Sequence, residues 1–272
     1  QILGNVLDLG VPSDATVSTA KIVDGSVTSA KLASGAVQNQ SAFRNIIING
    51  DMSLAQRATS ETGITNASGD VFVADRFCWS ESGGMTSQFT MSQDTDVPAG
   101  YGFAKSLKLD CTTTDTPATT ERIRIETRFE GQNLQYLKKG TANAESWTIS
   151  FWVKSVKTGT YIVNFRDEDN ARIVSKAYTI SSANTWEKKI VTVAPDTTDP
   201  FDNDNAHSLT VAWILSAGSS LQSGSLADVW QDYANANYAA GQVNFADNTA
   251  NNFWITGVQL EAGTTASDFE FL

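Results

Sequence analysis

From about residue 41 onward, apolar and polar positions alternate along the chain with the period of a β-strand. Between Glu121 and Phe129, the side chains of Ile123, Ile125, Thr127 and Phe129 share one face, while Arg122, Arg124, Glu126 and Arg128 share the other. A strand buried on one side reads this way. The pattern repeats at Trp147, Ile149, Phe151 and Val153, and again at Leu209, Val211, Trp213 and Leu215. Further runs fall near Ile46 and over residues 71–79, 87–91, 104–109, 161–165, 172–179, 186–193 and 253–260. Gly, Asn, Asp or Pro clusters bound each run, so about ten strands joined by turns are expected, the arrangement of a β-sandwich.

Two connections stand out. Arg166, Asp167, Glu168, Asp169, Asn170 and Ala171 separate two runs as the polar tip of a hairpin. Residues 216–242 lose the alternation and gather Gly, Ser, Asn and Ala around Trp230, Tyr233 and Tyr238, which predicts a long loop over the sandwich surface. Helical spacing is confined to Gln132 through Lys138, where Leu134 and Leu137 are three apart and Gly140 can end the turn.

The first forty residues have a different texture. VSTAKIVDGS (17–26) is followed without a gap by VTSAKLASGA (27–36), and Val37 opens a third unit. Ten residues with two or three apolar side chains cannot offset their own ordering entropy. Wrapping the same segment from several identical chains around one axis would bury Val17, Ile22, Val27, Leu32 and Val37 against their copies. Residues 1–40 are therefore expected to form an oligomeric stalk, and 41–272 the sandwich head. A disordered linker that happens to repeat is the competing reading.

Composition narrows the class. The 272 residues include seven Trp and are 10% aromatic and only 18% charged, a balance that suits twisted sheets and polar turns. A formal net charge of −11 opposes nucleic acid and anionic membranes as partners, since both need a basic patch. No apolar run reaches the roughly 18 residues of a membrane span, so no membrane insertion is expected. The chain opens on Gln1 with neither a secretion signal nor an initiator Met, as expected of an excised piece of a longer polypeptide. Cys78 and Cys111, the only cysteines, lie in strand-like runs and are expected to be buried free thiols, with a single disulfide as the other reading.

Catalytic chemistry finds little support. His207 is the only histidine and falls in a turn, where a surface role is expected, and no His/Cys cluster has zinc-ligand spacing. Glu121, Glu126 and Glu130 offer carboxylates for glycoside hydrolysis, but Glu126 shares its face with three arginines that would hold it ionised, and a solvated strand face is the expected reading. Asp196, Asp199, Asp202 and Asp204 crowd a loop with Pro195 and Pro200 that could supply oxygens to Ca²⁺ as a cofactor. A solvated acidic turn stiffened by proline is the alternative there. The best ligand-binding set is aromatic: Trp230, Tyr233 and Tyr238 could stack on sugar rings, with Asp232, Asn235 and Asn237 as polar hands. Alternatively these rings anchor the loop or meet a neighbouring chain, while Trp147, Trp152, Trp186, Trp213 and Trp254 belong to strands.

Several phrases together resemble the distal region of bacteriophage tail-fibre and related virion proteins. They are DGSVTSAKLASGAV, FRNIIINGDMSLAQR, ADRFCW, SWTISFWVKSVKTGTYIVNFRD and FWITGVQLEAGTTASDFE, and they span most of the chain. The resemblance implies a virion-attached homotrimer, beside other tail proteins, with a jelly-roll head similar to carbohydrate-binding modules that touches a bacterial surface glycan. It transfers no catalytic or sugar-contacting residue. Relatives often extend past the positions matching Phe269 and Glu270, whereas this chain stops at Leu272, which points to a trimmed C-terminus or a simplified tip. The resulting expectation is a non-enzymatic fibre subunit that mediates host attachment. A purely structural virion component (adaptor, nozzle or capsid decoration) and a polysaccharide depolymerase are the alternatives.

Overall fold

The computed structural model describes residues 44–271. The chain divides into two units between Ala42 and Phe43, and every described residue lies in the second, Phe43–Leu272. The repeat positions Val17, Ile22, Val27, Leu32 and Val37 therefore lie outside the described residues.

Thirteen strands are described, in chain order β1 (Ser60–Ile64), β2 (Val71–Phe72), β3 (Phe77–Ser82), β4 (Gln88–Asp94), β5 (Ser106–Thr113), β6 (Arg122–Glu130), β7 (Trp147–Ser155), β8 (Gly159–Asp167), β9 (Arg172–Ile180), β10 (Glu187–Val193), β11 (His207–Ala217), β12 (Gln231–Asp232) and β13 (Asn252–Ala262). They form two antiparallel sheets, ordered β1-β4-β5-β13-β7-β10 and β12-β9-β8-β11-β6-β3-β2. In each sheet a late strand sits between earlier ones: β13 between β5 and β7, β11 between β6 and β8. The chain therefore crosses repeatedly from one sheet to the other, the nested connectivity of a jelly roll.

Strict alternation decides which side chains fill the space between the sheets. On β6, Ile123 and Ile125 are fully buried, and on β11 so are Leu209, Val211, Trp213 and Leu215. Aromatic rings bridge the layers: Phe151 meets Trp213 at 5.7 Å and Tyr178 at 5.1 Å, edge to face, and Trp79 meets Phe89 at 6.0 Å. Such contacts add specific geometry to the area they bury.

Several expectations change in detail. The run at 71–79 breaks into β2 and β3 around Arg76, whose φ of 72° turns the chain. Alternation gives no sign of β1, because only Ile64 of its five residues is buried. The expected helix at Gln132–Lys138 is two 3₁₀ turns, Gly131–Asn133 and Gln135–Leu137, ended by Lys138 in the left-handed region. Leu134 and Leu137 still point into the core. Cys78 and Cys111 are both free and buried, on strands of different sheets.

No strand forms near Ile46. The stretch from Arg44 to Gly50 instead lies along β13, where the pairing to β7 shifts register between Thr256 and Gln259. The Asn45 amide bonds three backbone groups: its Oδ1 accepts from Ile47 and Leu260 at 3.0 and 3.1 Å, and its Nδ2 donates to Val258 at 3.3 Å. The Glu270 carboxylate accepts from the backbone of Arg44 and Asn45 at 2.9 and 3.1 Å. A Cβ on Gly50 would stand 2.0 Å from the Val258 carbonyl oxygen, so only glycine permits this approach. The NIIINGDM and closing phrases are thus two halves of one clasp.

Candidate functional site

The outward side of the second sheet is apolar at one end and charged at the other. Ile162 on β8, Ile173 on β9, and Ile214 and Ala217 on β11 point outward, and none is left exposed. The segment after β11 folds back over them, adding Leu221, Ala227, Tyr238 and Ala239 as a second small core. Backbone bonds hold it down, among them Ala239 N–H to the Leu221 carbonyl at 2.8 Å and Tyr233 N–H to the Ala171 carbonyl at 2.9 Å. The loop expected over the sandwich surface is this cover.

Where the cover stops, a trough of about 210 Å³ opens, with Tyr238 among the residues that line it. Register builds its floor: Glu126 on β6 stands opposite Ala212 on β11, and Ala212 opposite Asn164 on β8. The small Ala212 leaves space between the two polar side chains. One step along, Arg128, Thr210 and Arg166 form the next row. Arg124 and Arg122 continue the β6 side.

The charges in this trough are unequally satisfied. Glu126, almost fully buried, is held between Arg124 and Arg128, the latter at 2.7 Å. Arg128 also reaches Asp70 at 2.6 Å. By contrast, neither end of the Asn164 amide has a hydrogen-bond partner in the protein, although the residue is 1% exposed. Leaving a buried amide unpaired costs about 1–3 kcal/mol, so such a group calls for an explanation. Arg122 pairs with no carboxylate among the described residues; it lies over the Tyr238 ring at 5.0 Å and donates weakly to the Tyr233 hydroxyl at 3.4 Å.

His207, exposed at the start of β11, sits 2.9 Å from the Thr210 hydroxyl, which donates to Glu168 at 2.8 Å. Thr210 has one proton and gives it to Glu168, so it accepts from the imidazole. His207, Thr210 and Glu168 thus form a hydrogen-bonded relay along the edge of the trough.

The aromatic loop set is divided by the fold. Tyr238 is buried in the cover and edges the trough, and Tyr233 packs on it edge to face at 6.0 Å. Asn235 accepts the Tyr233 hydroxyl at 2.8 Å, and Asn237 lies in the same 3₁₀ turn. Asp232 is exposed and meets Arg172 at 3.2 Å. Trp230 turns away from the trough to pack on Trp147 at 5.4 Å and on Lys139.

The four aspartates considered for calcium are not brought together as a ligand cluster. Asp196 is taken up by Arg172 at 3.0 Å and by the buried Lys139 at 3.3 Å. Asp199 lies 3.6 Å from Arg172, Asp204 accepts from Ala206 N–H, and the Asp202 carbonyl accepts from Gln135. Side-chain cations from outside the loop thus stand at Asp196 and Asp199. Among the described residues, Asp70, Cys78 and Glu126 do place ligand atoms within 4.8 Å of one another. There, burial, helped by Glu126, pushes the Cys78 thiol up to about 12, and two arginines occupy the carboxylates, which suits an ion-pair network better than a metal.

Asn164, Thr210 and Ala212 carry no site motif in the sequence, and Arg166, expected in the hairpin tip, lies on β8. Their signal was the alternation on β8 and β11, where polar or small residues stand outward between buried Phe165, Val163, Val211 and Trp213. The outward face of the first sheet carries its own aromatics: Tyr101 lies on Trp152 at 4.4 Å, and Trp254 is covered by Lys154.

No known protein family matches this chain, and no curated protein does. Among solved structures, the enzymatically active domain of tailspike protein 4 from bacteriophage CBA120 is similar over 80% of this chain, with 14% identity and a TM-score of 0.39. This chain spans only 21% of that tailspike chain. A family 11 carbohydrate-binding module of a Clostridium thermocellum cellulosomal cellulase matches 78% of this chain and 99% of its own, at 10% identity and a TM-score of 0.35. A Bacteroides thetaiotaomicron protein described as sugar-binding is a third, with 80% and 99% coverage, 12% identity and a TM-score of 0.39. At these identities and scores the likenesses carry no functional argument.

Proposed function

We propose that the chain is a bacteriophage fibre subunit whose sandwich head attaches to a bacterial surface glycan through the trough on the second sheet. The observation that carries the binding role is the unpaired, buried amide of Asn164 on the floor of a trough about 210 Å³ in volume, room for a single sugar ring. An amide offers a donor and an acceptor side by side, which matches vicinal sugar hydroxyls. Tyr238 edges the trough, and the arginines supply further donors. The fibre role is supported by the repeat and by the phrases that resemble those of fibre proteins. Three weak sites on one axis would bind a repetitive surface with an avidity that none has alone.

The test replaces Asn164 with leucine in the full chain and measures retention on surface polysaccharides extracted from a panel of bacterial strains. Retention lost with an unchanged melting temperature supports the reading. Retention unchanged in Asn164→Leu but lost in Trp152→Ala would move the site to the first sheet. For the trimer, removal of residues 1–40 is expected to leave a folded head that sediments as a monomer or a weak associate, and an undiminished trimer would contradict the stalk assignment. The exposed apolar side chains Ile48, Leu54 and Tyr136 favour the second reading, a purely structural virion part that meets other subunits there.

A further inference from the structure

The arginines of the trough fall into two classes. Arg124 and Arg128 are saturated by Glu126, with Asp70 helping at the rim. Arg122 and Arg166 are not. Each lies over a ring of the same tyrosine pair, Arg122 on Tyr238 at 5.0 Å and Arg166 on Tyr233 at 4.8 Å. The Nε of each is buried without a hydrogen-bond partner. Glu168 is 3.2 Å from the Arg166 Nε, but out of line for a hydrogen bond. Stacking fixes the plane of a guanidinium and leaves its N–H edge for an oxyanion, which it grips with two parallel bonds. Four arginines in all line the trough against two glutamates, on a chain whose net charge is −11. A basic site on an acidic surface selects for anions.

We infer that the trough takes an acidic sugar, one whose carboxylate meets Arg122 and Arg166 while a hydroxyl pairs with the Asn164 amide. This rests on the glycan reading and narrows it to polysaccharides that carry uronic or similar sugar acids. An array of bacterial capsular and O-antigen polysaccharides, each acidic member beside its carboxyl-reduced derivative, tests it with the full-length chain. Acidic polymers should bind, carboxyl reduction should weaken them at least tenfold, and Arg122→Gln and Arg166→Gln should reproduce that loss with an unchanged circular dichroism melt. Raising the salt should weaken the wild-type chain more than either variant. Equal binding of acidic and reduced forms, or hits confined to neutral or phosphate-bearing polymers, would overturn the acidic inference and leave glycan binding standing. Binding to no polysaccharide would overturn both.

Discussion

Asn45 and Asn164 are both buried amides of one sandwich, held in opposite ways. Asn45 lies in the clasp between the Arg44–Gly50 stretch and β13, with each end of its amide bonded to backbone groups. Asn164 lies on an outward face with neither end bonded. The first arrangement stabilises the fold. In the second, a polar group is kept where the fold gains nothing from it, as binding sites commonly are, at some expense of stability.

The contrast can be broken most forcefully at the clasp. Gly50→Ala drives a Cβ to 2.0 Å from the Val258 carbonyl, and calorimetry should record a loss of about 3 kcal/mol or more. Asn45→Ala leaves the Ile47 and Leu260 amides and the Val258 carbonyl without their partner, and a loss of about 2 kcal/mol is expected in urea unfolding. If either variant unfolds like the wild type, the clasp does not stabilise the head.

A charged form of the same contrast responds to pH. Burial alone would raise the Asp196 carboxyl, but hydrogen bonds from Thr198 and Arg172 and the Lys139 charge outweigh it and hold the group below its ordinary value of 3.8. The folded state therefore binds the proton more weakly than the unfolded chain. The stability this supplies is present above pH 3.8 and is lost as the pH falls through the lower folded value. Unfolding midpoints measured from pH 7 downward should decline below about 4, and Asp196→Asn should flatten that decline. An equally steep acid limb in the variant would locate the effect in other carboxylates.

The smallest effect belongs to the trough. Asn164→Leu exchanges an unpaired amide for an apolar side chain of similar volume, and stability should change by less than about 1 kcal/mol, toward a gain. A loss of several kcal/mol would mean that Asn164 is structural after all.

Much of this frame could be read from the chain. The alternation of Ile123 and Ile125 with Arg122 and Arg124 announced both the core and the charged face of β6, and the poor alternation after Ser216 announced the cover. Local pattern could not place what depends on register between distant strands. Asn164 stands beside Glu126 only because β11 brings Ala212 between them. The aromatic loop residues read either as a stacking set for sugars or as anchors of the loop. The apolar outward positions Ile162 and Ile214 need cover, and Tyr238 packs over them. The surroundings of the aspartate loop are illegible for a similar reason: Lys139 and Arg172, which pair with Asp196, come from other parts of the chain.

Whether the unpaired amide exists for a ligand can be read by nuclear magnetic resonance of the side-chain amide, indole and guanidinium groups during titration with a polysaccharide the chain retains. The Asn164 side-chain NH₂ and the Nε–H groups of Arg122 and Arg166 should shift first and furthest, while Asn45 stays still. Shifts centred on Trp152 and Tyr101 of the first sheet, with Asn164 unmoved, would contradict a ligand role for the amide.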